Sequence, residues 1–252
     1  MSILPEHPIL ISLVSLLLLF LSVQLGILAG RKFRPADEVK QDLSTVISAT
    51  LTLLALIIGF SFSMAVSRYD QRKNYEEEEA NAIGTEYVRA DLLPAEDAAK
   101  IRSLLVPYLD QRMRFYTTHD VTKLDEINGK TAKLQAQMWF IVQQDAAAHP
   151  TPTVALAVAG MNDVLNRQGY TQAAWWNRIP VGAWSLMLAL AVCCCALIGY
   201  DSNYRGGALV TVLPFILAIA FFLIADIDSP RRGVIRVAPQ NLISLSDSLH
   251  AQ

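Results

Sequence analysis

The stretch LSTVISATLTLLALIIGFSFSMAV, residues 43–66, decides the fold class of this chain. It has 24 residues and contains no Asp, Glu, Lys or Arg. About 20 residues of α-helix are enough to cross the hydrocarbon core of a bilayer, which is about 30 Å thick. Because a backbone inside lipid must satisfy its own hydrogen bonds, we expect this stretch to be a membrane-spanning helix.

Three further stretches have the same character. Ile9–Gly30 and Ile179–Tyr200 contain 22 residues each and Gly207–Ala225 contains 19, again with no charged side chain. All 21 basic and 23 acidic residues of the chain lie outside the four stretches. This composition excludes a soluble enzyme, a secreted disulfide scaffold and a disordered chain. The predicted fold is an all-α membrane protein with four transmembrane helices, arranged two plus two.

The longest charged segment, residues 67–178, separates the second and third stretches. Its 112 residues are enough for a small domain, and they show neither strand alternation nor a hairpin turn signal. We therefore predict four parts: residues 1–66 with transmembrane helices 1 and 2, residues 67–178 as an extramembrane helical domain, residues 179–225 with transmembrane helices 3 and 4, and a C-terminal tail over residues 226–252.

Helix signals recur throughout the inserted segment. The absence of proline between Val66 and Pro94 predicts that the second transmembrane helix continues into water, from about Leu43 to about Asp91. After Pro94, apolar residues recur at intervals of three and four positions, which predicts an amphipathic helix. They are Ile101, Leu104, Leu105, Tyr108, Leu109, Met113 and Tyr116.

Two helix starts can be read beyond that helix. Asp120 is a predicted N-cap for a helix that extends to about His149. Thr151 is a predicted N-cap for another, because Pro152 follows it and proline is favoured at the first helical position. This last helix is predicted to end near Gln168.

Motifs for catalysis or cofactor binding are missing from the sequence. The four histidines form no HExxH pattern, and neither a GxGxxG nor a GxSxG motif is present. The three cysteines are consecutive, Cys193–Cys195, inside an apolar stretch, where a metal site would need separated ligands. The net charge of −2 lacks the excess of basic residues that is typical of nucleic-acid-binding proteins. We therefore expect neither an enzyme nor a site for a metal, a cofactor or nucleic acid.

A stripe of small and hydroxyl side chains runs along the second stretch. Its members are three or four positions apart, so they lie on one face of a helix. Such a stripe lets two helices pack closely, and it also forms the wetted wall of a pore when several copies face a common axis. Both alternatives require close protein neighbours. The stripe, a candidate pore lining, consists of Ser44, Ser48, Thr52, Ala55, Gly59, Ser63 and Ser67.

Carboxylates follow the second stretch, at Asp70 and then at the four consecutive positions 76–79. Four consecutive residues are spread over about 400° of helix, so they cannot all face one ligand. One alternative is a solvated charge run with Arg72 and Lys73 as helical neighbours. The other places Asp70, Glu76 and Glu79 at a pore mouth, where they would concentrate cations. Calcium binding is less favoured, because no EF-hand pattern accompanies the run.

The orientation in the membrane rests on basic residues close to the spans. Four spans place the N-terminus, the inserted segment and the tail on one side. The short loops carry five basic residues and the tail carries three, which favours cytoplasmic loops and a periplasmic helical domain. The loop residues are Arg31, Lys32, Arg34, Lys40 and Arg205; those of the tail are Arg231, Arg232 and Arg236.

The tail after the fourth span carries the densest turn signal of the chain. Asp226 and Asp228 lie at the predicted membrane boundary, and Pro230 and Gly233 lie three residues apart. This spacing predicts a sharp turn. The arginines between them are expected to pair with one of the two aspartates or to reach the headgroups.

Three segments of the chain resemble a bacterial membrane family known as the bestrophin-like domain family, over about Leu21 to Leu245. They are EEEANAIGTEYVRADLLP at 77–94, IPVGAW at 179–184 and DIDSPRRGVIRVAPQNL at 226–242. The resemblance marks five residues as structural parts of the family motifs: Asn81, Asp226, Pro230, Gly233 and Pro239.

The resemblance implies a homo-oligomeric ion channel of the bacterial inner membrane, since bestrophins are pentameric anion channels whose second helix lines the pore. The acidic run after that helix departs from this pattern, because it suits cations better than anions. We therefore expect a pentamer with a slight preference for cations, whose partners are the lipid bilayer and inorganic ions. The alternative is a non-conducting scaffold or sensor whose helical domain binds a partner.

Overall fold

The computed structural model describes residues 7–33, 37–201 and 208–251, and every element in these ranges is helical. Arg34 and Arg205, two of the loop residues used for the orientation, lie outside the described residues. The α-helices are α1 Pro8–Lys32, α2 Asp37–Arg89, α3 Ala95–Thr117, α4 Val121–Ala148, α5 Pro152–Trp176, α6 Val181–Asp201, α7 Ala208–Asp228 and α8 Gln240–His250, with a short 3₁₀ helix at Ala90–Leu92.

Four helical segments are long and apolar enough to cross a bilayer. They lie within Pro8–Lys32, Asp42–Leu92, Pro152–Asp201 and Val210–Asp228. The predicted all-α fold with four candidate transmembrane helices is therefore confirmed for the described residues. The second helix is continuous over 53 residues, in agreement with the expectation that it extends well past the charge-free stretch.

The chain divides into two compact units. The first, called here the membrane unit, comprises Met1–Arg68 and Arg178–Ile235. The second, the helical unit, comprises Tyr69–Asn177 and Arg236–Gln252. The predicted tail is thus divided between the two units.

Helix α1 of the membrane unit packs closely against α6 at glycines. A methyl group built on Gly26 would collide with the Ala196 carbonyl, and one built on Gly199 would collide with the Val23 carbonyl. The Ser22 hydroxyl donates a hydrogen bond to the Val192 carbonyl at 2.6 Å, across the same contact. Small residues set the distance between these two helices, as is common in membranes.

The helical unit has an apolar core to which all its helices contribute. The predicted apolar face of α3 is buried, and Trp175 of α5 packs edge-on against Phe115 and Tyr116 with ring centroids 5.0 and 5.4 Å apart. The burial of Trp175 explains why α5 extends to Trp176 and not only to Gln168, since its last two turns complete the core.

Both predicted N-caps are confirmed. The Asp120 carboxylate accepts a hydrogen bond from the Thr122 N–H at 2.9 Å at the start of α4. The Thr151 hydroxyl accepts one from the Val154 N–H at 3.2 Å at the start of α5, where Pro152 is the first helical residue. Each cap satisfies a backbone donor that the helix itself leaves unpaired.

The turn after α7 belongs to the membrane unit and is organised by Asp226. Its buried carboxylate accepts hydrogen bonds from the N–H groups of Val234 and Ile235 at 2.7 and 2.8 Å. Gly233 lies against the Asp226 carbonyl, where a methyl group would collide. Pro230 is buried in the same turn. The Asp226 carboxylate therefore binds backbone N–H groups in this turn. The expectation that the neighbouring arginines pair with one of the two aspartates or reach the headgroups stays a prediction.

Asp228 has a second role at this end of the membrane unit. Its buried carboxylate accepts from the Ile179 N–H at 3.1 Å, just before α6. The Arg68 guanidinium lies 3.6 Å from it. In the helical unit, the buried Pro239 is the N-cap residue of α8.

Candidate pore-lining face of the second helix

All seven residues of the predicted stripe are exposed in the chain. They follow one another along the membrane part of α2, from Ser44 to Ser67, at intervals of three and four residues. Within residues 7–33, 37–201 and 208–251, the stripe therefore does not pack against other helices of the chain. The close contact between helices in the membrane unit is formed by α1 and α6, at their glycines.

The buried face of α2 lies opposite the stripe. Leu54, Ser61 and Ala65 are buried at 1%, 3% and 0% exposure. Each helical residue turns by about 100°, so Ser63 and Gly59 point about 200° away from the buried residues two positions later. A methyl group built on Gly59 would meet no atom within 4 Å. The stripe is thus an open surface of the membrane unit.

The hydroxyl groups of the stripe are of two kinds. Ser48 donates to the Ser44 carbonyl and Thr52 to the Ser48 carbonyl, both at 2.9 Å. Their protons are used within the helix, so their exposed oxygens act as hydrogen-bond acceptors. Ser63 and Ser67 make no hydrogen bond with any described residue. A hydroxyl left unbonded in hydrocarbon is costly, so the conformation of Ser63 seen here is favoured by water or another chain beside it.

The water-exposed part of α2 continues this register in the helical unit. From Ser67, positions at intervals of three and four residues are polar and exposed as far as Asn81. They include two carboxylates, and one lysine is exposed close to them. The residues are Asp70, Lys73, Asn74, Glu77 and Asn81.

Glu79, by contrast, lies in the interior of the helical unit at 0% exposure. It forms a salt bridge with the Nε of Arg112, which is also fully buried. The hydroxyls of Tyr116 and Thr171 donate to its Oε2 at 3.2 and 3.1 Å. Burial lowers the pKa of Arg112, but the Glu79 carboxylate and the tyrosines beside it outweigh this effect and raise that pKa. Burial, together with the Glu79 carboxylate, raises the pKa of Tyr116. Arg112 therefore keeps its charge and Tyr116 keeps its proton.

Glu76 is buried as well, at 1% exposure. Its carboxylate accepts from the Leu242 N–H at 3.0 Å and from the Asn241 amide at 2.6 Å, and so caps the start of α8. A carboxylate at a helix N-terminus is favoured by the helix dipole. We therefore revise the prediction for Glu76 and Glu79, which face protein and not solvent. Asp70 is exposed, as is Glu77, and its place at a pore mouth stays a prediction.

No group of three or more His, Cys, Asp or Glu side chains in the described ranges could hold a metal ion. The buried Glu79 has three protein donors around it and Glu76 has two, which leaves neither carboxylate open as a ligand. The candidate site is therefore a surface, formed by one face of α2, and not a pocket with convergent ligands.

A family model described as Bestrophin-like domain matches residues 14–242, which is most of the chain. The chain belongs to the Bestrophin-like family. The three motifs on which the resemblance was recognised lie inside the matched residues, and the family assignment is confirmed. A comparison with curated proteins gives no match.

Crystal structures of a bacterial bestrophin homologue from Klebsiella pneumoniae share the fold of this Bestrophin-like chain. One mutant form has a TM-score of 0.64 at 15% identity and covers 94% of this chain and 98% of its own. A second mutant form has a TM-score of 0.65 at 15% identity, with coverages of 94% and 97%. At this identity the likeness concerns the fold alone.

One signal in the sequence could have identified the buried carboxylates of this Bestrophin-like protein. Arg72, Glu76, Glu79, Ile83 and Glu86 are spaced four, three, four and three residues apart. This is helical spacing, and it continues the register of the buried residues in the membrane part of α2. All five are buried. A run of charges in that register predicts internal ion pairs as well as a solvated face.

Proposed function

We propose that this protein is a homo-oligomeric ion channel of the bacterial inner membrane, and that the exposed face of α2 lines its pore. The observation that carries the proposal is the exposure of all seven stripe residues opposite the buried face of the same helix. A row of hydroxyl and small side chains is a poor surface to present to lipid. It is a suitable surface to present to water or ions.

The same surface argues for an oligomer. One helix face cannot enclose a pore, so several copies of α2 must surround a common axis. The bestrophin fold supports this arrangement, and five copies is the number that the resemblance implies. The unbonded Ser63 hydroxyl would then find water in the pore or a partner on the adjacent copy.

A slight preference for cations follows from the groups on this face. The Ser48 and Thr52 hydroxyls donate within the helix and present oxygen lone pairs outward, which favours cations. Beyond the membrane, Asp70 and Glu77 outnumber Lys73, so the exposed charge is −1 per chain. Repeated around an axis, this charge would attract cations at the pore mouth.

The side of the membrane is a separate part of the proposal. The basic residues of the short loops favour a periplasmic helical unit. Labelling of Asp97→Cys from each side of the membrane tests it, since Asp97 lies in the first turn of α3. Labelling only from the cytoplasmic side would reverse the orientation and leave the pore proposal unchanged.

The decisive experiment compares Ser48→Leu with wild type in planar bilayers, together with the oligomer mass in detergent. A pore-lining Ser48 predicts an intact oligomer with reduced conductance, because the larger apolar side chain narrows and dries the pore. Val46→Leu is the matched control, since Val46 is exposed on another face of α2.

Two outcomes would contradict the proposal. Loss of the oligomer in Ser48→Leu alone would mean that the stripe packs helices, because small residues set the contact distance. The absence of current from well-folded wild-type oligomers, at any voltage or tension, would favour the non-conducting scaffold.

A further inference from the structure

Glu86 is a buried carboxyl group that the channel proposal does not use. It lies on α2, 20 residues beyond the end of the charge-free stretch at Val66, and its exposure is 0%. Neither of its carboxyl oxygens has a hydrogen-bond partner in the part of the chain that the structure describes. It differs in this from Glu76 and Glu79 on the same buried face, which are fully bonded.

The charged groups around Glu86 do not offset the effect of burial on its pKa. Arg89 on its own helix lowers its pKa and Asp163 on α5 raises it, but burial has the largest effect. The arginines of neighbouring elements are engaged elsewhere, Arg102 with the Tyr87 carbonyl and Asp91, and Arg167 with Glu78. Together these effects raise the pKa of Glu86 to about 8.

The carboxyl group of Glu86 is held directly against the backbone of α5. A methyl group built on Gly160 would collide with Glu86 Oε2 and would lie 2.9 Å from Arg89 Nη1. Glycine at position 160 therefore leaves the room in which the ends of the Glu86 and Arg89 side chains lie against α5. Gly160 also lines a surface cavity of about 360 Å³ together with Thr85, Arg89 and Asp163. Water can reach the buried carboxyl group from this cavity if the contact loosens.

We propose that Glu86 is a proton-operated latch between α2 and α5, closed while its carboxyl group is protonated and released when the proton leaves to solvent. A neutral carboxyl tolerates the dry contact with Gly160. An ionised one requires water, and water between the two helices separates them. Because α2 also carries the proposed pore face, release of the latch would change conduction; this last consequence alone rests on the proposed function.

The direction of the pH effect follows from linkage. In the open latch, with Glu86 solvated, its pKa returns towards the ordinary value of 4.5, whereas in the closed latch it is about 8. Between these values the open form releases a proton that the closed form keeps. Opening should therefore increase by up to about tenfold per pH unit in this window, and level off above pH 8.

The first arm of the test asks whether the proton is present. Infrared spectra of the full chain in lipid should show a buried carboxylic C=O stretch that is lost as the pH passes about 8. Glu86→Gln should remove this band at every pH. Glu77→Gln, a change at an exposed carboxylate of the same helix, should retain it. A wild-type spectrum identical to that of Glu86→Gln would overturn the proposal.

The second arm asks whether the proton controls the contact. Hydrogen exchange of the α5 peptide around Gly160 is compared between wild type and Glu86→Gln at each pH, which cancels the intrinsic dependence of exchange on pH. Wild type should lose protection relative to the variant by up to tenfold per unit up to pH 8. Equal protection at all pH values would overturn the latch, even if Glu86 is protonated.

A second variant keeps the test informative if Glu86→Gln does not fold. Gly160→Ala places a methyl group where the Glu86 carboxyl group lies and forces that group to move, so α5 should already be less protected than in wild type at pH 6. Protection of Gly160→Ala equal to wild type would contradict the latch. Both arms use the protein without any current, so failure of the channel proposal would leave them unaffected, and the pH dependence of conductance is read separately.

Discussion

Replacing Glu79 with Gln removes one charge from a fully buried pair and leaves the other behind. In the described residues, Arg112 forms hydrogen bonds only with Glu79, and its Nη1 has no hydrogen-bond partner even in the wild type. The face of the Phe115 ring also lies against it, 4.4 Å from the guanidinium carbon. Glu79→Gln would therefore leave a cation in the core of the helical unit without a counter-charge.

The expected cost is large compared with the stability of a typical domain. Breaking a buried ion pair by neutralising one partner costs about 3–5 kcal/mol, out of a total of about 5–15 kcal/mol for most domains. The hydrogen bonds from Tyr116 and Thr171 can be kept by the Gln carbonyl, so they do not add to this figure. Glu78→Gln is the matched control, because Glu78 and Arg167 are 43% and 37% exposed. That change should cost less than about 1 kcal/mol.

Denaturant unfolding of the full chain in detergent, followed by circular dichroism, measures both variants. A third protein combines Glu79→Gln with Arg112→Met, which removes the unpaired cation and keeps an acceptor for the Tyr116 and Thr171 hydroxyls. It should recover part of the stability that Glu79→Gln loses. The reasoning is refuted if Glu79→Gln costs no more than Glu78→Gln, or if the double variant is less stable than the single one.

Three further predictions concern pH, the turn after α7 and the pore mouth. Glu86→Gln and wild type should have similar free energies of unfolding near pH 4.5. Up to pH 8 the variant should become more stable than wild type by about 1.4 kcal/mol per pH unit, because the folded wild type keeps a proton that the unfolded chain releases. Parallel pH profiles of the two free energies would contradict this. Gly233→Ala should lose about 1–3 kcal/mol in thermal unfolding through collision with the Asp226 carbonyl, whereas Gly182→Ala, which meets no atom within 4 Å, should lose nothing. Asp70→Asn should reduce the cation-over-anion permeability ratio, most strongly at low salt where the Debye length is long; a ratio that is unchanged at low salt would remove Asp70 from the pore mouth.

Much of the membrane unit follows from the sequence because lipid imposes one rule on every residue. A charge-free stretch of about 20 residues must be helical, and the four stretches coincide with the four apolar helical segments of the structure. The sequence also predicts helix N-caps, because the backbone donor that binds the capping side chain lies only a few residues away. Asp120 and Thr151 cap their helices through backbone donors two and three positions later.

Local sequence signals do not show which of the carboxylates at 76–79 are buried. Glu79 is buried because Arg112, 33 residues later, and Thr171, 92 residues later, approach it in the folded unit. Glu76 is buried because α8 begins against it, 166 residues later at Leu242. Adjacent and chemically identical side chains therefore have opposite environments, and only tertiary contacts distinguish them. Helical register with the apolar residues of α2 is the one local clue to which of them face inward.

The proposed pore and a packed contact between copies of the chain differ in whether water reaches the stripe side chains in the assembled protein. A cysteine in a wetted pore reacts with a charged thiol reagent, whereas one buried between helices or facing lipid does not.

The most direct measurement is therefore the response of single-channel current to such a reagent in Ser63→Cys. Cys193–Cys195 are first replaced by Ala, and Leu53→Cys, exposed on another face of α2, is the control. A pore lined by the stripe predicts that a cationic methanethiosulfonate reduces the current of Ser63→Cys and leaves that of Leu53→Cys unchanged. A reduction in Leu53→Cys with none in Ser63→Cys would contradict the assignment of this face of α2 to the pore.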